Sequence, residues 1–130
     1  NGRKYGLLYN GYCRTYLNEI CPDGWRVLNG NDCQYIIDFV GQNNGAKLRT
    51  IDYWATPGNN ELGFSAPPSS ATDTGSNWFF TETFCYLQGD IDIGQGQIDV
   101  FAILGNNNIA FYPNGSSMWI SMPVRFCKDA

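Results

Sequence analysis

The chain has 130 residues, a net charge of −4, 15 glycines, 6 prolines and only 15% charged residues. That length matches one domain, 1–130, with enough apolar content for one core. The acidic balance argues against nucleic acid, whose binding requires clustered Lys and Arg, and against an anionic membrane surface. No apolar run approaches the roughly 20 residues of a spanning helix.

The opening Asn1-Gly2-Arg3-Lys4 carries no visible leader and reads as a trimmed domain of something longer. Tyr5-Gly6-Leu7-Leu8-Tyr9 predicts a strand, and Tyr12 to Ile20 is open between loop and short helix. Cys21-Pro22-Asp23-Gly24-Trp25 has the Pro and Gly spacing of a tight turn, followed by a short extended piece, Arg26-Val27-Leu28. The clearest helix spans about Asp32 to Val40, with Asn31 as its N-cap, Gln34 in a capping-box-like position and Gly41 as its stop. Cys33, Ile36, Ile37 and Val40 share its apolar face at 3.6-residue spacing.

Residues 42–77 lack periodicity and are punctuated by Pro57-Gly58, Pro67-Pro68 and Thr74-Gly75, which predicts long loops. Strand signals follow at Trp78 to Thr81, Gln97 to Leu104, Asn108 to Tyr112 and Met118 to Cys127. Gly89 to Gly94 and Gly105 to Asn108 read as turns between them. The fold class is therefore α+β, with short helices, a small mostly antiparallel sheet and long loops.

Five cysteines in a short chain suggest an oxidising compartment, hence a secreted or cell-surface location. There is no histidine and no Cys-x-x-Cys, so no Ser-His or Cys-His pair forms and no structural zinc site is expected. The carboxylates Glu82, Asp90 and Asp92 would have to flank a cleft to act as a glycosidase pair, and a Gly-rich turn is a poor mount for them. An ordinary polar turn is also preferred over calcium ligation at Gly89 to Gly94. Catalytic residues, metal ligands and cofactors are expected to be none. Asn114-Gly115-Ser116 is a formal glycosylation sequon that reads as a turn.

Aromatics set the binding expectation. Trp25, Trp54 and Phe64 are assigned to the core. Trp78, Phe80, Phe84, Tyr86, Phe101, Phe111, Tyr112 and Trp119 crowd the C-terminal half, interleaved with Asn, Ser and Gly. At period two about half of them point inward. The rest would form a rigid aromatic surface with adaptable hydrogen bonding, a composition typical of binding faces. The expected ligand-binding set is Trp78, Phe80, Tyr86, Phe101, Asn107, Phe111, Tyr112 and Trp119, directed at a protein or glycan ligand.

Tyr5 to Tyr9, Cys21-Pro22-Asp23-Gly24-Trp25-Arg26-Val27, Ile37 to Gly41, Gly45 to Leu48, Gly63-Phe64-Ser65-Ala66, Trp78 to Glu82 and Val124 to Asp129 stand in an order and spacing that resemble the Fibrobacter succinogenes major paralogous domain family. The resemblance spans nearly the whole chain. It departs at Leu28, Asp32-Cys33, Phe79-Phe80 and Ser121-Met122-Pro123. It implies a C-type-lectin-like fold in a bacterial surface or secreted protein, with the strand near Tyr5 to Tyr9 pairing with that around Val124. It also implies a Cys21–Cys127 disulfide, because these occupy the family's cysteine positions; Cys13, Cys33 and Cys85 are left without an assigned pairing. Some relatives are variable proteins of diversity-generating retroelements, and residues 86–119 are rich in the types that adenine mutagenesis of AAC codons produces. The function expected is an adhesin-type binding domain. A pilus or envelope assembly subunit is the alternative, and a polysaccharide-acting enzyme the third reading.

Overall fold

A computed structural model describes residues 7–13, 16, 17, 19, 21–69, 71–73, 77–79, 82–92 and 95–129, the side chains of 78, 79 and 90–92 excepted. Among the described residues it is an α+β fold with nine short strands, one fully described α-helix and small antiparallel sheets. β1 is Tyr9–Asn10, β2 Trp25–Val27, α1 Gly30–Val40, β3 Ala71–Thr72 and β4 Trp78–Phe79. β5 is Phe84–Asp92, β6 Gln97–Leu104, β7 Ile109–Ser117, β8 Ser121–Met122 and β9 Phe126–Lys128. No helix among the described residues is long and apolar enough to cross a membrane.

Three sheets assemble from these strands, in the orders β1-β8-β3-β4, β2-β9 and β5-β6-β7. The expected pairing of the two ends of the sequence appears as Tyr9 opposite Met122, two residues from the anticipated centre at Val124. Val124 instead bridges Gln88, and the last strand pairs with β2, Arg26 opposite Cys127. Tyr5 and Gly6 of the predicted first strand lie outside the described residues. Of the ambiguous stretch, Tyr16, Leu17 and Glu19 are helical.

The turn before β2 is closed by the Trp25 N–H on the Pro22 carbonyl at 2.9 Å, with Gly24 at φ +78°. That conformation at the third turn position is the one glycine adopts without steric cost. Trp25 itself does not enter the core. It is 46% exposed, because β2 is a perimeter strand whose inward position is Val27.

α1 begins two residues earlier than the sequence signal suggests. Asn29 is the cap: its side chain accepts from Asp32 N–H, and the Asp32 carboxylate accepts from Asn29 N–H at 2.8 Å. Asn31 and Gln34 play neither role; Gln34 donates to Asp38 on the exposed face. Gly41 ends the helix at φ 90°.

The long segment after α1 is held by a buried cation. Arg49 is 1% exposed, donates to the Leu104 carbonyl at 2.9 Å and to Asn107 Oδ1 at 2.8 Å, and lies 5.1 Å from the Trp54 ring centroid. Trp54 in turn donates its indole N–H to the Ala66 carbonyl. Loops without periodicity are thus fixed by side-chain hydrogen bonds to backbone, which satisfy polar groups that burial would otherwise penalise.

The β5-β6-β7 sheet divides the interior. Cys85, Leu87, Phe101, Ile103 and Ile109 face Cys33 and Val40 of α1 and Trp54 of the loops. Val100 and Ile98 face Ala71 of β3 and Met122 of β8, with Tyr86 and Ile120 packed alongside. Period-two alternation assigns the two sets to opposite faces. The residues from Gly89 to Asp92 belong to β5, not to a turn; a register shift between Gln88 and Ile91 absorbs the glycine. β7 forms an outer edge of its sheet. Along that edge the Ile109 N–H goes to the Gln42 carbonyl at 2.8 Å and Pro113 lacks an N–H, while Asn114, at φ 52°, turns its N–H to Asp99 Oδ1 of the neighbouring β6 at 2.8 Å.

Candidate functional site

Between the β5-β6-β7 sheet and β3-β8 lies a cleft of about 310 Å³ lined by Ala71, Tyr86, Val100, Tyr112, Gly115, Ser116, Ile120 and Met122. Its origin is visible in the strand register. Gln88, Val100 and Tyr112 stand in one cross-strand row, and Tyr86, Ala102 and Ala110 in the next. Tyr86, Val100 and Tyr112, on neighbouring rows of one face, form the sheet side of the hollow.

Two clasps set the separation of the walls. The Gln88 amide, fully buried, donates to the Met122 carbonyl at 3.1 Å and to the Tyr9 carbonyl, tying β1 and β8 to β5. Ser69 Oγ accepts from Tyr86 N–H at 2.9 Å and donates back to the Tyr86 carbonyl. Gly115 completes the wall: a Cβ there would fall 2.6 Å from Tyr112 Cβ and 3.0 Å from its carbonyl, so any larger residue would displace Tyr112.

Tyr86 stacks on Phe84 with ring centroids 5.4 Å apart. Burial pushes its phenol pKa up, and the neighbouring Tyr112 adds to the shift, so the Tyr86 hydroxyl stays a neutral hydrogen-bonding group at physiological pH. Tyr112 is 46% exposed and is the accessible aromatic of the cleft. Beyond Ile120, Trp119 is 59% exposed and meets Tyr12 at 4.8 Å in a tilted pair.

The expected binding set is therefore divided. Tyr86 and Tyr112 line the cleft, and Trp119 stands next to a lining residue in sequence. Phe101 is 0% exposed and belongs to the core against α1, a correction that follows from its register opposite Leu87 and Phe111. Phe111 packs against that same core. Asn107 is exposed at the β6–β7 turn, but its side-chain oxygen is engaged by Arg49. Trp78 lies on β4 with its side chain outside the description, and Phe80 lies outside the described residues. Ile120, Met122 and Ser116 were missed by the sequence reading. They lie in or next to β7 and β8, and their convergence depends on β8 crossing back over the sheet.

No disulfide links any of the five cysteines, the expected Cys21–Cys127 pair included. Cys127 Sγ lies instead 3.7 Å from Asp32 Oδ2, drawn into the polar cluster that Asp32 forms with Arg26. Burial, then the nearby Asp32 charge, push the Cys127 pKa up. Glu82 is exposed, and among the described residues no group of three or more Cys, Asp or Glu is arranged to hold a metal ion.

Fold and site together define an α+β domain with a tyrosine-lined cleft between two sheets. Comparison with protein-family models, curated proteins and solved structures returned no match.

Proposed function

We propose that this chain is a non-catalytic binding module, of the C-type-lectin-like kind, that acts at a bacterial cell surface or in secretion. The observation that carries the reading is the cleft itself. Two tyrosines from different strands converge on one hollow in the C-terminal half, with hydroxyl groups at hand and apolar walls around them. Concave, mostly apolar sites with a few polar groups are the usual form of a ligand site. The antiparallel closure of Tyr9 on Met122, the helix α1 and the loop-rich middle support the lectin-like architecture. The ligand is a protein or a glycan, and a glycan and protein array is the direct test. Tyr112→Ala should lose at least tenfold in binding to whatever ligand the array returns, with a melting temperature lowered by no more than about 5 °C. Undiminished binding by that variant would remove the cleft from the proposal. Retroelement diversification is a sub-case, tested at the gene: it requires a near-copy of the segment for residues 86–119 with adenine-specific differences.

A structural assembly subunit is the second reading. It is favoured by Tyr35 and Phe39, stacked at 6.3 Å on the outward face of α1 and both exposed. Oligomers in light scattering that dissociate on Phe39→Ser would favour it, and a monomer at high concentration would dismiss it.

A further inference from the structure

A second cavity, of about 340 Å³, lies on the other side of β5 from the tyrosine cleft. Leu7, Pro67, Leu87 and Phe126 give it apolar walls, and Arg125 supplies a cation. The alternation of β5 separates the two hollows, since Cys85 and Leu87 line this one and Tyr86 the other.

Arg125 is in an unusual position. Its guanidinium lies 4.3 Å from the Phe64 ring centroid, and Nη2 donates to the Phe64 carbonyl. The ion pairs among the described residues are Arg26 with Asp32 and Asp129, and Lys47 with Glu61. None of these carboxylates reaches Arg125. Burial lowers its pKa, opposed among the described residues by the Cys85 thiol. That thiol is itself pushed up to about 12 by burial, so it stays neutral and provides no counter-charge. A guanidinium carries five N–H donors, and a half-buried one with a single protein acceptor is poorly compensated. An arriving carboxylate would correct this with charge-assisted, fork-matched hydrogen bonds.

We propose that this cavity binds a small monocarboxylate with an apolar body. The carboxylate meets the remaining donors of Arg125, and the body lies against Leu87, Pro67 and Phe126. A single cation in the lining matches a single negative charge; a dianion would be left under-compensated. The volume is about twice the ~150 Å³ that admits benzene, which suits an aromatic ring with a short chain. The neutral Cys85 thiol makes the site one of binding, not of covalent capture.

The ligand chemistry has two sources, a free acid or the C-terminal carboxylate of a peptide ending in an apolar residue. Both are tested on the wild-type chain by calorimetry and by the ¹⁵Nε–H resonance of Arg125. The probes are 4-phenylbutyrate, its neutral amide, 4-phenylbutylamine, and acetyl-Gly-Gly-Phe as acid and as amide. The expected result is that at least one acid binds at least tenfold tighter than its own amide and shifts the Arg125 resonance. Phenylbutyrate alone would identify the free acid as the source, and the peptide acid alone would identify a chain end. Arg125→Lys, folded by circular dichroism, should weaken the acid at least fivefold while leaving its amide unchanged. Equal binding of acid and amide, tighter binding of the amine, or an unmoved Arg125 resonance with both acids would each overturn the proposal. Tyr112→Ala should leave this binding intact, which separates it from the tyrosine cleft.

Discussion

Asp32 serves three partners at once. Its carboxylate takes Arg26 in a two-pronged pair at 2.5 and 2.8 Å, accepts the Asn29 N–H, and receives the Cys127 thiol. Arg26 is the first cause of its lowered pKa. The folded chain therefore gives up the Asp32 proton more readily than the unfolded chain does. The stabilisation is fully present above the unfolded carboxylate value, ~3.9, and is lost as pH falls through the lower folded value. Asp32→Asn should cost about 1 kcal/mol at pH 7, since Arg26 is partly exposed to solvent screening. The difference from wild type should close near the acid end of a urea-denaturation series. A constant difference across pH would show that the cap alone matters. At this scale the sequence misleads about Cys127. Its position suggests a bridge, but its thiol is committed by a strand register, opposite Arg26, that no local pattern encodes.

At the scale of elements, α1 was the most legible piece and its start the least. The apolar spacing of Cys33, Ile36, Ile37 and Val40 carries the helix, and all four pack toward one core. Asn29-Gly30-Asn31 offers two Asn caps in a row, and only the reciprocal bond with Asp32 selects the first. Asn29→Ala should therefore cost about 1 kcal/mol, and Asn31→Ala close to nothing, by thermal or urea unfolding. β6 was read at its observed limits, because Gln97 to Leu104 is a β-rich run bounded by Gly. β5 was overlooked, because Gly89, Asp90 and Asp92 have turn chemistry. Pairing with β6 overrides that local preference, and the bulge is where the conflict is resolved.

Across the whole molecule, what the sequence could not convey is that both faces of the central sheet are covered. An aromatic-rich sheet with one face in water would place every second ring in a binding surface. Here one face meets α1 and the loops and the other meets β3 and β8, so the rings are shared between a core and a cleft. Phe101 and Tyr112 separate the two roles. Phe101→Ala should cost about 3–5 kcal/mol, whereas Tyr112→Ala should cost less than about 1 kcal/mol. Comparable losses in chemical denaturation would mean that the cleft is packed interior. The outer margin of β7 has a bearing on how any partner is held. Pro113 withholds a donor, and the Ile109 N–H is already committed to the Gln42 carbonyl at 2.8 Å. A nine-residue strand would otherwise be a template for added strands, whether of an incoming peptide or of an aggregating neighbour. With that ladder interrupted, recognition along this margin falls to side chains, and a protein ligand would be read by the shape of what it inserts and not by its backbone.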